Sequence, residues 1–195
     1  MKKIFLLLSM CFCTLSSVAQ SDQAHLITQK GGGKVKFGMN LQEVRRAVRP
    51  LKTKRDTDGD GFPSLYILDG ENIVMSIGSA CRQEEFFTDS SVKLDLIEVW
   101  SKDYSTKQGV RPGMLLSEAE KKLGKVKEIG ISESESREYA EFKRMPDGLW
   151  YLLSYEAGIY ENDSRTTKKY TPDTYIRAIG WRSPAHRCHS TYETR

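Results

Sequence analysis

The sequence predicts an α+β protein made of two tandem modules, each a short helix packed on a small antiparallel sheet. A helix-opening pattern occurs twice, as GMNLQEV at residues 38–44 and as GMLLSEA at residues 113–119. A strand-like pattern also occurs twice, as LDLIEVWS at residues 94–101 and as IRAIGWRS at residues 176–183. Because the two patterns recur in the same order, 75 and 82 residues apart, we interpret them as an internal repeat.

The first twenty residues have the layout of a secretory signal peptide. Lys2 and Lys3 precede an apolar run, IFLLLSMCFCTL, and small residues follow it. The run is too short to span a bilayer, so we expect cleavage near Ala19 or Gln20 and a periplasmic or secreted product. Loss of two lysines lowers the formal net charge from +4 to +2, too little to indicate a nucleic-acid partner. No other apolar run is long enough for an integral membrane segment.

The predicted helices begin with capping signals. Asn40 and Glu43 form a capping box before LQEVRRAVRPL, which Pro50 ends or kinks. Ser117 and Glu120 suggest the same box before the second helix. Both helices are short and therefore need a sheet to pack against.

The predicted strands are separated by turn signals. The sequence DGEN after residues 64–68 and MPDG after residues 137–144 each favour a hairpin. One further strand, at residues 92–100 and 174–181, closes each module. The predicted organisation is a signal peptide (1–20), a flexible N-terminal segment (21–34), two α/β repeats (35–103 and 104–184) and a C-terminal tail (185–195).

The doubled GM-plus-helix openings, and YSTKQGVRPGM at residues 104–114 between strand and helix, carry a family resemblance. The chain resembles the two-repeat architecture of the β-lactamase inhibitor protein and the small exported domains of the outer-membrane-assembly lipoprotein type. The resemblance implies a fold that binds other proteins, and it transfers no catalytic residue.

Two cysteines, Cys81 and Cys188, remain after removal of the signal peptide. In an exported protein two such thiols most simply form a disulfide, and the alternative is a pair of buried free thiols.

The acidic loop RDTDGDGFPS resembles the opening of a calcium-binding loop. Asp56, Asp58 and Asp60 stand at the spacing of the first three ligands. The closing acid is missing, because Ile67 occupies its position. The alternatives are therefore a weak, incomplete calcium site and a turn rich in aspartate and glycine.

Few residues suit catalysis, since the histidines lie near the chain ends and leave a serine or cysteine nucleophile without a base. We therefore expect a non-enzymatic, cofactor-free module that binds an envelope or secreted protein, such as an inhibitor or immunity protein against an envelope hydrolase. The alternative is a calcium- or small-ligand-binding envelope domain. The candidate partner-binding residues are basic or aromatic: Arg45, Arg46, Arg49, Tyr155 and Tyr160.

Overall fold

The structure, a computed structural model, describes residues 22–57, 63–79, 82–132 and 136–183. Within these ranges the chain is mostly β, with a nine-stranded sheet, a four-stranded sheet and only three short α-helices. The predicted α+β fold of two separate helix-on-sheet modules is therefore wrong. None of the helices in these ranges has the length and apolar character needed to cross a membrane.

The strands and helices are short and alternate with tight turns. The strands are β1 (Leu26–Thr28), β2 (Gly31–Gly32), β3 (Val35–Lys36), β4 (Lys52–Thr57), β5 (Pro63–Asp69), β6 (Asn72–Gly78), β7 (Leu96–Val99), β8 (Ser105–Thr106), β9 (Val126–Ile131), β10 (Glu138–Phe142), β11 (Leu149–Leu153), β12 (Thr166–Thr167) and β13 (Ile176–Arg182). The helices are α1 (Leu41–Ala47), α2 (Glu85–Thr88) and α3 (Leu116–Leu123).

The nine-stranded sheet explains why the prediction of two small sheets fails. Its order is β12-β9-β10-β11-β13-β7-β6-β5-β4, so the strands before residue 100 and those after residue 125 form one continuous surface. The junction is the antiparallel pair β7–β13, where Val99 lies opposite Ile179 and Ile97 opposite Trp181. In two separate sheets, β7 and β13 would each be a free edge with unpaired backbone N–H and C=O groups. Pairing the two strands satisfies these groups.

The four-stranded sheet has the order β3-β2-β1-β8 and uses the segment expected to be flexible. Gly31 and Gly32 form β2, and both are buried. A Cβ atom added to Gly32 would lie 3.1 Å from the side chain of Met75 and 3.3 Å from that of Trp181. The small sheet therefore packs closely on one face of the large sheet, and glycine allows the close approach.

One face of the large sheet forms the core, and we call it the covered face. Leu65, Ile77, Ile97, Trp181 and Tyr151 are buried there, on adjacent strands. The buried side chains of all three helices belong to the same cluster: Val44, Phe86, Leu116, Ala119 and Leu123. The helices therefore lie on the covered face.

The local predictions have mixed outcomes. The capping box of α1 is confirmed, because the amide of Glu43 donates to Asn40 Oδ1 at 3.0 Å and the amide of Asn40 donates to Glu43 Oε2 at 2.8 Å. The hairpin at Asp69-Gly70 is also confirmed, with Asp69 opposite Asn72. The segment after α1 forms the edge strand β4, whose residues are mostly exposed.

The second predicted capping box is wrong, because α3 begins at Leu116, one residue before Ser117. Glu120 instead receives hydrogen bonds from the amide of Val126 at 2.9 Å and from Lys125 Nζ at 2.7 Å. Burial alone would raise the pKa of Glu120, but these hydrogen bonds and one from Tyr170 outweigh it and hold the pKa below its ordinary value. Glu120 therefore joins α3 to β9 as a carboxylate.

Candidate binding surface

The face of the large sheet that points away from the core forms a second surface, which we call the open face. Its central row crosses five strands in register: Tyr66, Ser76, Glu98, Gly180 and Trp150. Four of these residues are half-buried, and Gly180 is buried. The alternation of side chains along each strand places this row opposite the buried row of the covered face.

Gly180 makes room for the ring of Trp150. A Cβ atom at Gly180 would lie 2.3 Å from the indole ring, so the ring lies directly against the backbone of β13. A glycine in a strand often marks such a close approach. The consequence is an indole held flat on a rigid sheet, with part of its area accessible.

Two cavities flank the central row. The first has a volume of about 480 Å³, and its lining includes Leu152, Leu153, Tyr155, Tyr160 and Arg177. The second has a volume of about 410 Å³, and its lining includes Tyr66, Glu98, Trp100, Tyr139 and Trp150. Arg137 lines both cavities, so they are neighbours on one surface.

An arginine between two aromatic rings lies at the wall of the first cavity. The guanidinium carbon of Arg177 is 4.4 Å from the ring centroid of Tyr155 and 4.9 Å from that of Trp100. Arg177 lies opposite a register shift between Leu152 and Leu153, where β13 has one residue more than β11. Such bulges redirect a side chain, and here the bulge brings Arg177 to the open face.

A buried carboxylate fixes the loop that carries Tyr155. The amide of Ala157 donates to Glu138 Oε2 at 2.7 Å, and the amide of Gly158 donates to Oε1 at 2.7 Å. The phenol of Tyr160 donates to the same Oε1 at 2.8 Å. Burial, and then the negative Glu138, raise the pKa of Tyr160 above its ordinary value. The loop therefore has a defined anchor behind the exposed ring of Tyr155.

The predicted partner-binding residues separate into two groups. Tyr155 is 77% exposed and lines the first cavity together with the half-buried Tyr160. Arg45, Arg46 and Arg49 are exposed on α1 and just after it. Because α1 packs on the covered face, the structure brings the two tyrosines together and leaves the three arginines on the other side of the sheet.

The predicted calcium ligands are only partly described. Asp58 and Asp60 lie outside the described residues, and Asp56 is half-buried near the end of β4. Asp56 receives a hydrogen bond from Lys54 Nζ at 2.6 Å and one from the amide of Thr57 at 2.9 Å. The bond from Lys54, then that from Thr57, hold the pKa of Asp56 below its ordinary value. Across the described ranges, no three His, Cys, Asp or Glu residues are grouped to hold a metal ion.

The two cysteines of the predicted disulfide, Cys81 and Cys188, also lie outside the described residues. The described residues nearest to them in sequence meet at Asp95. The hydroxyl of Ser79 donates to Asp95 Oδ2 at 3.4 Å, and the amide of Ser183 donates to the carbonyl of Asp95 at 2.8 Å. Ser79 and Ser183, the last described residues before the two cysteines, therefore lie close to each other.

Sequence reasoning did not select Trp100, Arg177 or Glu138 as site residues. A signal for Trp100 existed in LIEVW, where Leu96, Glu98 and Trp100 alternate with two apolar residues that are now seen in the core. Arg177 had no such signal, because the bulge that redirects it is not visible in the residue pattern.

Comparisons with known proteins show a similarity of fold and nothing further. No protein-family model matches the chain, and no curated protein matches it. Among solved structures, the chain is similar to the uncharacterized protein yfeY from Escherichia coli, with a TM-score of 0.54 and 15% sequence identity. The match covers 80% of this chain and 98% of that chain. At this identity the similarity shows a shared fold and nothing about activity.

Proposed function

We propose that this chain is an exported, non-enzymatic module that binds another protein through the open face. The observation that carries the proposal is the concentration of half-exposed aromatic side chains around Arg177 on one face of a continuous sheet. Tyrosine, tryptophan and arginine are the side chains that most often dominate protein–protein binding energies. A partner that covers this face would bury them without rearranging the core.

The sheet supports binding because it holds the aromatic side chains in place before a partner arrives. Trp150 lies against the backbone at Gly180, and the Glu138 hydrogen bonds hold the loop that carries Tyr155. Ordering side chains and loops on association costs free energy, so a surface that is already ordered binds more tightly for the same contact area.

The charges of the open face indicate the chemistry of the partner. Arg137, Arg177 and Arg182 line the two cavities together with three carboxylates, Glu98, Glu138 and Glu156, so the lining carries charges of both signs in equal number. The complementary partner is a folded protein with an apolar patch bordered by charges of both signs, with a carboxylate that faces Arg177. The resemblance to a family of inhibitors leads us to propose that this partner is a hydrolase of the cell envelope, which the chain inhibits or neutralises.

The test is capture of a partner from an envelope extract with matched variants. The double variant Tyr66→Ala with Trp150→Ala removes aromatic area from the open face, and Arg45→Ala with Arg46→Ala alters the exposed side of α1. We expect a partner that the wild type and the α1 variant retain and that the open-face variant loses. The purified partner is then expected to show the same order of affinities by calorimetry. If no captured protein depends on Tyr66 and Trp150, the proposal is refuted.

A second candidate function, binding of a small ligand, is favoured by the volumes of the two cavities, about 480 and 410 Å³. Small-molecule sites have volumes of this order. Native mass spectrometry of the protein purified from its own host distinguishes the two functions: a small-ligand domain carries a mass excess that is lost on denaturation. For calcium, the measurement is the melting midpoint in millimolar calcium and in chelator, because a ligand of the native state raises it.

A further inference from the structure

Arg177 is held in an unusual way for a charged side chain. It is half-buried, and its guanidinium lies near the rings of Trp100 and Tyr155. Within the described ranges it forms no ion pair and donates no hydrogen bond. The guanidinium has five N–H donors along its edge, and its contacts with the two aromatic rings provide none of these donors with an acceptor atom. Among the residues that the structure describes, this edge therefore has no acceptor.

A second donor next to Arg177 is also unpaired. The indole nitrogen of Trp100 is buried and has no hydrogen-bond partner in the part of the chain that the structure describes. A buried donor without a partner costs free energy, and of the three buried unpaired groups in the described residues only that of Trp100 belongs to a ring in contact with Arg177, whereas those of Tyr151 and Trp181 lie in the core. Trp100 and Arg177 thus place two kinds of unsatisfied donor side by side.

We infer that Arg177, supported by Trp100 and Tyr155, forms a binding site for a single carboxylate, the side chain of an aspartate or glutamate on the partner protein. This inference rests on the proposed function and specifies the chemistry of the contact. A planar carboxylate matches the donor edge of a guanidinium with two parallel hydrogen bonds. The exposed ring of Tyr155, whose centroid is 4.4 Å from the guanidinium carbon of Arg177, borders the site.

The surroundings favour a carboxylate over a phosphate. Glu156 lines the same cavity as Arg177, and Glu98 lines the cavity next to it together with Trp100. Two carboxylates near the site repel a dianion more strongly than a monoanion. Arg177 and Trp100 also line a third cavity, where the carboxylates of Asp69, Glu71 and Asp103 outnumber the one lysine, Lys102, and add to the same repulsion.

The experiment uses N-acetylglutamate α-amide, which carries only a side-chain carboxylate, as the probe. Its glutamine counterpart is the uncharged control, and inorganic phosphate tests the alternative anion. Binding is followed by NMR through the Nε–H of Arg177 and the indole N–H of Trp100. We expect saturable shifts of both signals with the glutamate probe, no saturation with the glutamine probe, and weaker binding of phosphate.

Variants assign the binding to Arg177. Loss of a hydrogen bond to a charged group weakens binding by about tenfold or more, so Arg177→Gln is expected to bind the glutamate probe at least about tenfold more weakly. Arg177→Lys keeps the positive charge without the planar guanidinium. Its affinity for the glutamate probe is expected to lie between those of the wild type and Arg177→Gln. Arg45→Gln, which removes an exposed arginine from α1 on the other side of the sheet, is the matched control and is expected to bind the probe like the wild type.

Three results would overturn the inference: no saturable shift with the glutamate probe, tighter binding of phosphate than of the glutamate probe, or equal weakening of probe binding by Arg45→Gln and Arg177→Gln. Melting curves of the variants show whether the fold is retained. If Arg177→Gln does not fold, Arg177→Lys serves as the test variant, because it keeps a cation near the two rings. If the glutamate probe does not bind but partner capture still depends on Tyr66 and Trp150, the carboxylate site is refuted and the proposed function stands. Probe binding without any dependent partner refutes the proposed function instead.

Discussion

Removal of the Glu138 carboxylate is expected to destabilise the protein strongly. Glu138 is 8% exposed and accepts three hydrogen bonds, from the amides of Ala157 and Gly158 and from the phenol of Tyr160. Each hydrogen bond to a charged group contributes about 1.5 to 3 kcal/mol, and the three share one group and do not add fully. We therefore expect Glu138→Ala to lower the free energy of unfolding by about 3 to 5 kcal/mol.

The assay is chemical and thermal unfolding of the wild type and variants under identical conditions. For a chain of this size, about 1 kcal/mol corresponds to a shift of roughly 2 to 4 °C in Tm, so Glu138→Ala should melt on the order of 10 °C lower. Glu138→Gln is expected to lower the free energy of unfolding by less than Glu138→Ala, because the amide keeps one acceptor oxygen. It still destabilises the protein, since its NH₂ group faces a backbone N–H donor.

The matched control is Glu141 on the same strand, whose carboxylate is 53% exposed and pairs with Lys127 at 2.9 Å. An exposed ion pair contributes about 0 to 1 kcal/mol, so Glu141→Ala should change the free energy of unfolding little. If Glu138→Ala is no more destabilising than Glu141→Ala, the three hydrogen bonds do not anchor the loop and the reasoning fails.

Three further predictions concern other parts of the chain. A thiol assay of native, non-reduced protein should find no free thiol at Cys81 or Cys188, whereas two free thiols would refute the disulfide. The Glu120→Gln variant should be less stable than the wild type at pH 7, and the difference should shrink as the pH falls below about 4, because the folded pKa of Glu120 lies below the unfolded one. A stability difference that is constant from pH 7 to pH 3 would contradict this. Gly180→Ala should displace the ring of Trp150 and lower the free energy of unfolding by about 1 to 3 kcal/mol. The displacement is measured as a change in tryptophan fluorescence. Unchanged fluorescence would show that the ring does not lie on β13.

Features fixed by local chemistry could be predicted from the sequence. The capping box at Asn40 and Glu43 and the turn at Asp69-Gly70 depend on residues within one turn of each other, and both are present. The second capping box fails although its residue types are correct, because Glu120 makes stronger contacts with the following strand than with the start of its own helix.

Features that depend on distant pairing could not be predicted. The joining of β7 to β13 is decided by which strand edges are left unpaired after each hairpin forms, and no residue pattern records it. Short strands such as β2, with two glycines, have no hydrophobic alternation that would identify them. The candidate site shows the same division: the exposed aromatics could be suspected from composition, but the position of Arg177 depends on a bulge.

The junction between β7 and β13 also has a consequence for how the chain folds. It pairs Val99 with Ile179 and Ile97 with Trp181, residues that are about 80 positions apart, whereas the neighbouring hairpins pair residues only a few positions apart. Closing so long a loop is entropically slower than forming a hairpin, so the two halves of the sheet are expected to form first and to join last. Until they join, each half exposes one unpaired central strand, and this interval is when a newly made chain is most exposed to pairing with another copy of itself.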